Sequence, residues 1–320
     1  MTGAAAAACL LFVAGCGPSS SDSSSKITFS YSEVSASELP LLIASDAGYF
    51  KQQGLDVSMQ SISAQQGIPA MLSDQVQFSS VGGSEVLSAE ASGASMQYIL
   101  TMTPVYAYVF YAQRQHATAA SLRGQRVGIV STSGSDYVAT VLGLKAIGLT
   151  PSDVQMVPLG SVTSVNNALL SGSVVAAMSH PPASVVFDQR GFAQLVDLAK
   201  QRTAAAEDGI AVTKTYLDAH QDVAQKVCDA IVAAIRREKS DKAYTEKEIA
   251  KFLNVHDQAS LDATYQYYVQ DVLPDDPLPA VSQFIASQQT LAKTTPAVAK
   301  IDLSSLVNPK FVQQATSGKP

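Results

Sequence analysis

Apolar residues along 27–111 switch repeatedly between two spacings. Ile27-Thr28-Phe29-Ser30-Tyr31, Leu55-Asp56-Val57-Ser58-Met59 and Val76-Gln77-Phe78 alternate as strands do. Between them, Pro40 opens a helical stretch from Leu42 to Phe50 that Gly54 stops, and Gly67 to Leu72 reads as a short helix. Short helices between short strands predict βαβ units and a mainly parallel sheet.

The same unit recurs about a hundred residues later. Arg126-Val127-Gly128-Ile129-Val130 is its strand, and Val138, Val141, Leu142 and Leu149 mark its helix. Asp153-Val154-Gln155-Met156 matches Asp56-Val57-Ser58-Met59, and Ala168-Leu169-Leu170-Ser171-Gly172 matches Ala70-Met71-Leu72-Ser73-Asp74 in order and spacing. The expected fold class is therefore α/β, with two similar lobes. Ligands of open α/β sheets bind at the carboxyl ends of the strands, which here means a cleft between the lobes.

After the polar stretch 200–208, Gly209-Ile210-Ala211-Val212-Thr213 reads as one more strand. From 216 to 292 the pattern is helical, with Val223, Val227, Ile231 and Ile235 on one stripe. Helices with no sheet of their own are expected to pack on the first lobe. That lobe then comprises 26–110 and 207–320, with 111–206 as the second. Two crossings, near 108–114 and 203–212, make a two-strand hinge suited to closing on a ligand.

The apolar run at residues 2–15 is too short to span a bilayer and fits the core of an export signal (1–15). Val13-Ala14-Gly15 before Cys16 resembles the bacterial lipobox, which makes Cys16 the lipidation site; Ala6-Ala7-Ala8 before Cys9 is a poorer match. Six serines among residues 19–25 follow, so 16–25 reads as a flexible tether. No Lys or Arg precedes Lys26, so either the true start lies upstream or the signal is atypical. Cys228 sits on the 223–235 stripe and is expected to be a buried structural thiol.

Composition narrows the function. With 47% hydrophobic and 15% charged residues the chain is no disordered polymer, and its 320 residues suit two lobes. Its 21 basic and 27 acidic residues, without a basic block, leave no footprint for nucleic acid. The four histidines, His116, His180, His220 and His256, show no metal-ligand spacing, and neither metal nor cofactor is expected.

Pro40-Leu41-Leu42-Ile43-Ala44, with Gly48-Tyr49-Phe50-Lys51-Gln52-Gln53-Gly54-Leu55-Asp56-Val57, resembles a signature of ABC-importer solute-binding proteins. The group in question is that of alkanesulfonates, taurine, nitrate and thiamine precursors. Leu122-Arg123-Gly124-Gln125-Arg126-Val127-Gly128, Ala168 to Gly172 and Asn308-Pro309-Lys310-Phe311-Val312 support it, so the resemblance spans roughly 27–315. It implies a type II periplasmic binding fold and a non-enzymatic protein that acts as a monomer. Such a protein is held outside the cytoplasm by its lipid and passes one small sulfonate-, taurine- or pyrimidine-precursor-like ligand to a permease and its ATPase. Some biosynthetic enzymes share the fold, and a ligand-sensing subunit is the third possibility.

The scaffold motifs leave the binding residues to physics. Helix N-termini present unpaired N–H groups, and small polar turns let a ligand approach them. Four turns qualify, and they supply Gln65, Gln66, Gly67, Gly83, Ser84, Ser133, Gly134, Ser135, Asp136, Thr163 and Ser164 as candidates. The same residue types also serve ordinary helix capping. Ser35 and Ser37 in the first loop, Tyr106, Tyr137 and His180 complete the candidate set. Tyr106 fits a hinge core equally well, and His180 fits a structural role. These loops hold no Lys or Arg, while Glu33, Glu85 and Asp136 lie in or beside them. A neutral, zwitterionic or amine-bearing ligand therefore fits better than a dianion.

Overall fold

The computed structural model describes residues 25–32 and 34–318. The export signal, most of the tether, Cys9, Cys16 and Glu33 lie outside the described residues.

The first lobe begins with β1 (Ser25–Tyr31), α1 (Leu39–Asp46), β2 (Leu55–Ser61), α2 (Ala64–Leu72), β3 (Phe78–Ser80), α3 (Gly83–Ala91) and β4 (Met96–Val105). The helix expected to run to Phe50 is interrupted at Gly48, whose φ of 76° belongs to the left-handed region that glycine tolerates. The second lobe follows with β5 (Val109–Ala112), β6 (Arg126–Ile129), α4 (Ser135–Ala146), β7 (Gln155–Pro158), α5 (Val162–Ser171), β8 (Ala176–Ser179) and β9 (Ala193–Asp197). The chain returns through β10 (Ala204–Thr213) to α6 (Gln221–Ser240), α7 (Lys242–Leu253), α8 (Ile285–Leu291) and α9 (Lys310–Ser317).

Each lobe holds a five-stranded sheet, ordered β2-β1-β3-β10-β4 and β7-β6-β8-β5-β9. In both, the first three strands run parallel, and one strand, β10 or β5, runs against its two neighbours. The sheets are thus mixed, and the reason is topological. β5 and β10 are the strands that enter from the other lobe, so they traverse the sheet in the opposite sense. The expected boundary at 110/111 cuts β5, which lies wholly in the second sheet, and β10 begins at Ala204, before 207. The crossings are short and bonded to each other: Tyr106 donates its N–H to the Thr203 carbonyl (2.9 Å), and Leu198 to that of Tyr108 (3.0 Å).

Burial follows the strand and helix periods. On one face of the first sheet Phe29 stacks on Phe78 (ring centroids 5.1 Å apart) beneath α1, α6 and α9. The α6 stripe Val223, Val227, Ile231 and Ile235 is fully inside that core, which at roughly 1.5–3 kcal/mol per buried side chain holds the C-terminal helices to this lobe. Cys228 is buried in the same layer as a free thiol, and burial pushes its pKa up. The other face joins a cluster that runs through Val86 and Leu87 of α3, Phe284 before α8 and Val138 of α4, so apolar packing links the lobes behind the cleft. Among the described residues no helix is long and apolar enough to cross a membrane.

Candidate functional site

The segments that follow the carboxyl ends of β1, β2, β3, β6, β7 and β8 converge on one cavity of about 390 Å³ between the lobes. Of the residues expected from sequence, Ser35, Ser37, Gln65, Gly134, Ser135, Asp136, Thr163 and His180 line it. The others do not, for identifiable reasons. Gly67 packs against Ser30, where an added Cβ would lie 3.0 Å from the hydroxyl, and its neighbour Gln66 is exposed outside the cavity lining. Gly83 is pressed on Phe284, with 2.7 Å from an added Cβ to the ring. Ser84 and Tyr106 share a buried partner, Ser287, at 3.0 and 2.6 Å, so Tyr106 is a hinge core residue. Ser133 borders a neighbouring groove, Tyr137 packs on the apolar cluster, and Ser164 gives its N–H to Ser161, the N-cap of α5.

The structure adds residues the sequence did not single out. Glu207 and Asp208 both face the cavity although they are consecutive in β10. In a regular strand neighbours point to opposite faces; here the pairing of β10 with β4 shifts register on either side of Asp208, and this bulge turns both carboxyls inward. Tyr108 comes from the first crossing, and Tyr268 from a π-helical turn, Tyr265–Val272. The ring of His180 lies 5.7 Å from those of both tyrosines, centroid to centroid.

Electrostatically the cavity is one-sided. Asp208 accepts hydroxyl hydrogen bonds from Ser37 (2.7 Å) and Ser80 (2.9 Å). Glu207 accepts the Ala107 N–H at 2.5 Å and the hydroxyl of Tyr108. Glu85, from α3, accepts the backbone N–H (3.3 Å) and hydroxyl (3.4 Å) of Ser135, the first residue of α4. Asp136 accepts the Val130 N–H at 2.7 Å. Burial is the main reason the pKa values of these carboxyls are raised: Glu207 is pushed up to about 8, with Asp208 and Glu85 adding repulsion, and Asp136 to about 7. Glu85 and Asp208 are raised by the same cause. Among the described residues no lysine or arginine lines the cavity.

His180 adds another acceptor. Its Nδ1 lies 3.0 Å from the carbonyl of Pro181, so Nδ1 carries the proton and donates it. Burial lowers the pKa of the ring and keeps it neutral, which leaves a lone pair on Nε2. The site can thus hold a small polar molecule by hydroxyls, the N-terminus of α2, which has no side-chain cap, carboxyls and aromatic rings.

Known proteins bear on this arrangement. The putative binding protein YtlA of Bacillus subtilis is 23% identical over 294 residues, which cover 88% of this chain and 86% of that protein. The aliphatic sulphonate binding protein SsuA of Escherichia coli shares the fold with a TM-score of 0.72 at 19% identity, covering 89% of this chain and 98% of that one. The desulfurization enzyme DSZB shares it too, with a TM-score of 0.65 at 18% identity over 91% of this chain and 99% of its own. The family described as NMT1/THI5 like matches residues 36–238, which include both crossings, strands β2 to β10 and the carboxyls of β10, and the chain belongs to that family.

Proposed function

We propose that this chain is the lipid-anchored, extracytoplasmic solute-binding subunit of an ABC importer, whose lobes close over one small polar organic ligand. The observation that carries the reading is a cavity shared by the carboxyl ends of two matching five-stranded sheets, spanned by two mutually bonded crossings. Rotation about those crossings alters the cavity while each sheet stays intact, which is the mechanics of hinge closure. Closure also changes the outer rim of the two lobes, and that rim is the surface a permease reads. YtlA and SsuA, both binding proteins by name, support the reading.

The anchor rests on Cys16 and the serine tether after it. It places the protein on the outer face of the cytoplasmic membrane, with the lipid as its sole attachment. Replacing Cys16 with Ser should release the protein from washed membranes into the soluble fraction. Unchanged fractionation would remove the anchor from the proposal. Binding and closure are tested together by small-angle scattering during a ligand screen. The radius of gyration should fall on binding, and chemical turnover of a bound compound would favour the enzymes of this fold instead.

A further inference from the structure

The carboxyls of Glu85, Glu207 and Asp208 meet at one wall of the cleft, and every hydrogen bond described above reaches them from a neutral donor. Neutral donors satisfy oxygen atoms but do not balance the charge of an ionised carboxyl, and among the described residues no lysine or arginine lines the cavity to do so, so these carboxyls ionise most readily beside a cation brought by the ligand. The N-terminus of α4, a ready seat for an anion, is already filled by Glu85.

A second observation comes from His180, which is 9% exposed and lines the same cavity. With Nδ1 committed to the Pro181 carbonyl, its Nε2 is an acceptor on a residue that lines the cavity. An acceptor in this place can take an N–H or O–H from a ligand. Around it, the rings of Tyr108, His180 and Tyr268 form an aromatic side on which a cationic, planar group gains further attraction. Among the described residues no three His, Cys, Asp or Glu side chains converge to hold a metal ion. The aromatic rings beside the carboxyls favour an organic cation there.

We infer that the ligand carries a positively charged nitrogen group with at least two N–H donors, of the amidinium or aminopyridinium kind. It sits against Glu207 and Asp208 and beside the Tyr108, His180 and Tyr268 rings, with one N–H on His180 Nε2. This inference rests on the binding-protein reading and gives it a ligand class opposite in charge to a sulfonate.

The test is calorimetric titration of the full chain with four probes of one size: benzamidine, benzyltrimethylammonium, benzyl alcohol and benzenesulfonate. Benzamidine, a cation with N–H donors, should bind most tightly, and benzyltrimethylammonium, a cation without them, more weakly. Glu207→Gln should lose about tenfold or more in benzamidine affinity, the usual cost of removing a charged hydrogen-bond partner. Asp208→Asn is the second variant, and an unchanged melting temperature certifies either fold. Preference for benzenesulfonate or benzyl alcohol overturns the ligand class and leaves the binding-protein reading standing. Heat from none of the four overturns both, and unchanged benzamidine affinity in folded Glu207→Gln and Asp208→Asn overturns the assigned wall.

Discussion

Glu85 of the first lobe receives the backbone N–H of Ser135, the first residue of helix α4 in the second lobe. A protein carboxylate thus sits where a helix N-terminus would otherwise offer itself to a ligand. The pair also ties the lobes at the edge of the cavity, because Glu85 reaches the Ser135 hydroxyl as well.

Glu85→Gln removes the charge from that seat and retains an amide of the same shape. Stability should change by no more than about 1 kcal/mol, since the lost helix-end attraction is offset by relief of a half-buried acid. Affinity for benzenesulfonate or sulfate should rise, measured by calorimetry against the unaltered protein. No gain in anion binding would mean that α4 is closed for another reason.

Cation binding should depend on pH with a defined sign. Glu207 keeps its proton up to about pH 8 because of burial and the repulsion of Asp208 and Glu85, against the Ala107 N–H and the Tyr108 hydroxyl. Asp136 follows at about 7. A bound cation favours the ionised carboxyl, so binding releases a proton. Benzamidine affinity should therefore fall as pH drops below about 8, by up to about tenfold per unit for each proton released. Titration in buffers of different ionisation enthalpy reads the proton count, and a flat profile would contradict it.

A buried acid away from the cleft gives a stability prediction. Glu238 of α6 is 1% exposed, one of its carboxyl oxygens lacks any hydrogen bond, and burial raises its pKa well above the usual carboxylate range. The unfolded chain ionises at the ordinary value and the native state later, so the native state binds the extra proton between the two. Native stability is then lost as pH rises from the ordinary carboxylate value through the raised one. Glu238→Gln should flatten that loss in denaturant titrations across this range, while leaving stability near pH 4 almost unchanged.

Gly209 follows the bulge that turns Asp208 into the cleft. An added Cβ there would run into the Leu100 carbonyl oxygen and the Tyr98 ring. Backbone cannot yield as a flexible side chain does, so Gly209→Ala should cost about 1–3 kcal/mol, and more if β10 unpairs from β4. The same variant should weaken ligand binding, since Glu207 and Asp208 owe their shared direction to the bulge. A variant with native melting temperature and native affinity would refute both effects.

The scaffold was largely legible in the sequence because its signals are periodic. The Val223-Val227-Ile231-Ile235 stripe, the alternation in β1 and β2 and their later copies each repeat one rule over several residues. The small polar turns predicted where a cleft would form, since Ser, Thr and Gly are what close backbone approach requires. The acidic wall was hidden for the opposite reason. Glu207 and Asp208 lie in the stretch 200–208, which reads as a polar connection, and only a bulge makes two consecutive side chains share one face. Tyr268 read as part of an ordinary helix, whereas a π-turn delivers it to the cavity. Ser84 and Tyr106 erred the other way: polar atoms near a cleft can be satisfied by a buried neighbour, here Ser287, that lies far along the chain.

The place of β10 has a bearing on how the molecule is made. β3 and β4 are never neighbours in the finished sheet, because β10 lies between them and is made only after the whole second lobe. A chain emerging from its amino end can complete the second lobe, 109–197, as one continuous piece while the first waits with an open seam. Assembly of the first lobe is thereby linked to the arrival of Glu207 and Asp208 in that seam. The strand that closes the sheet also brings in the charge of the cleft, so a chain that has not finished folding has no acidic wall with which to capture a ligand.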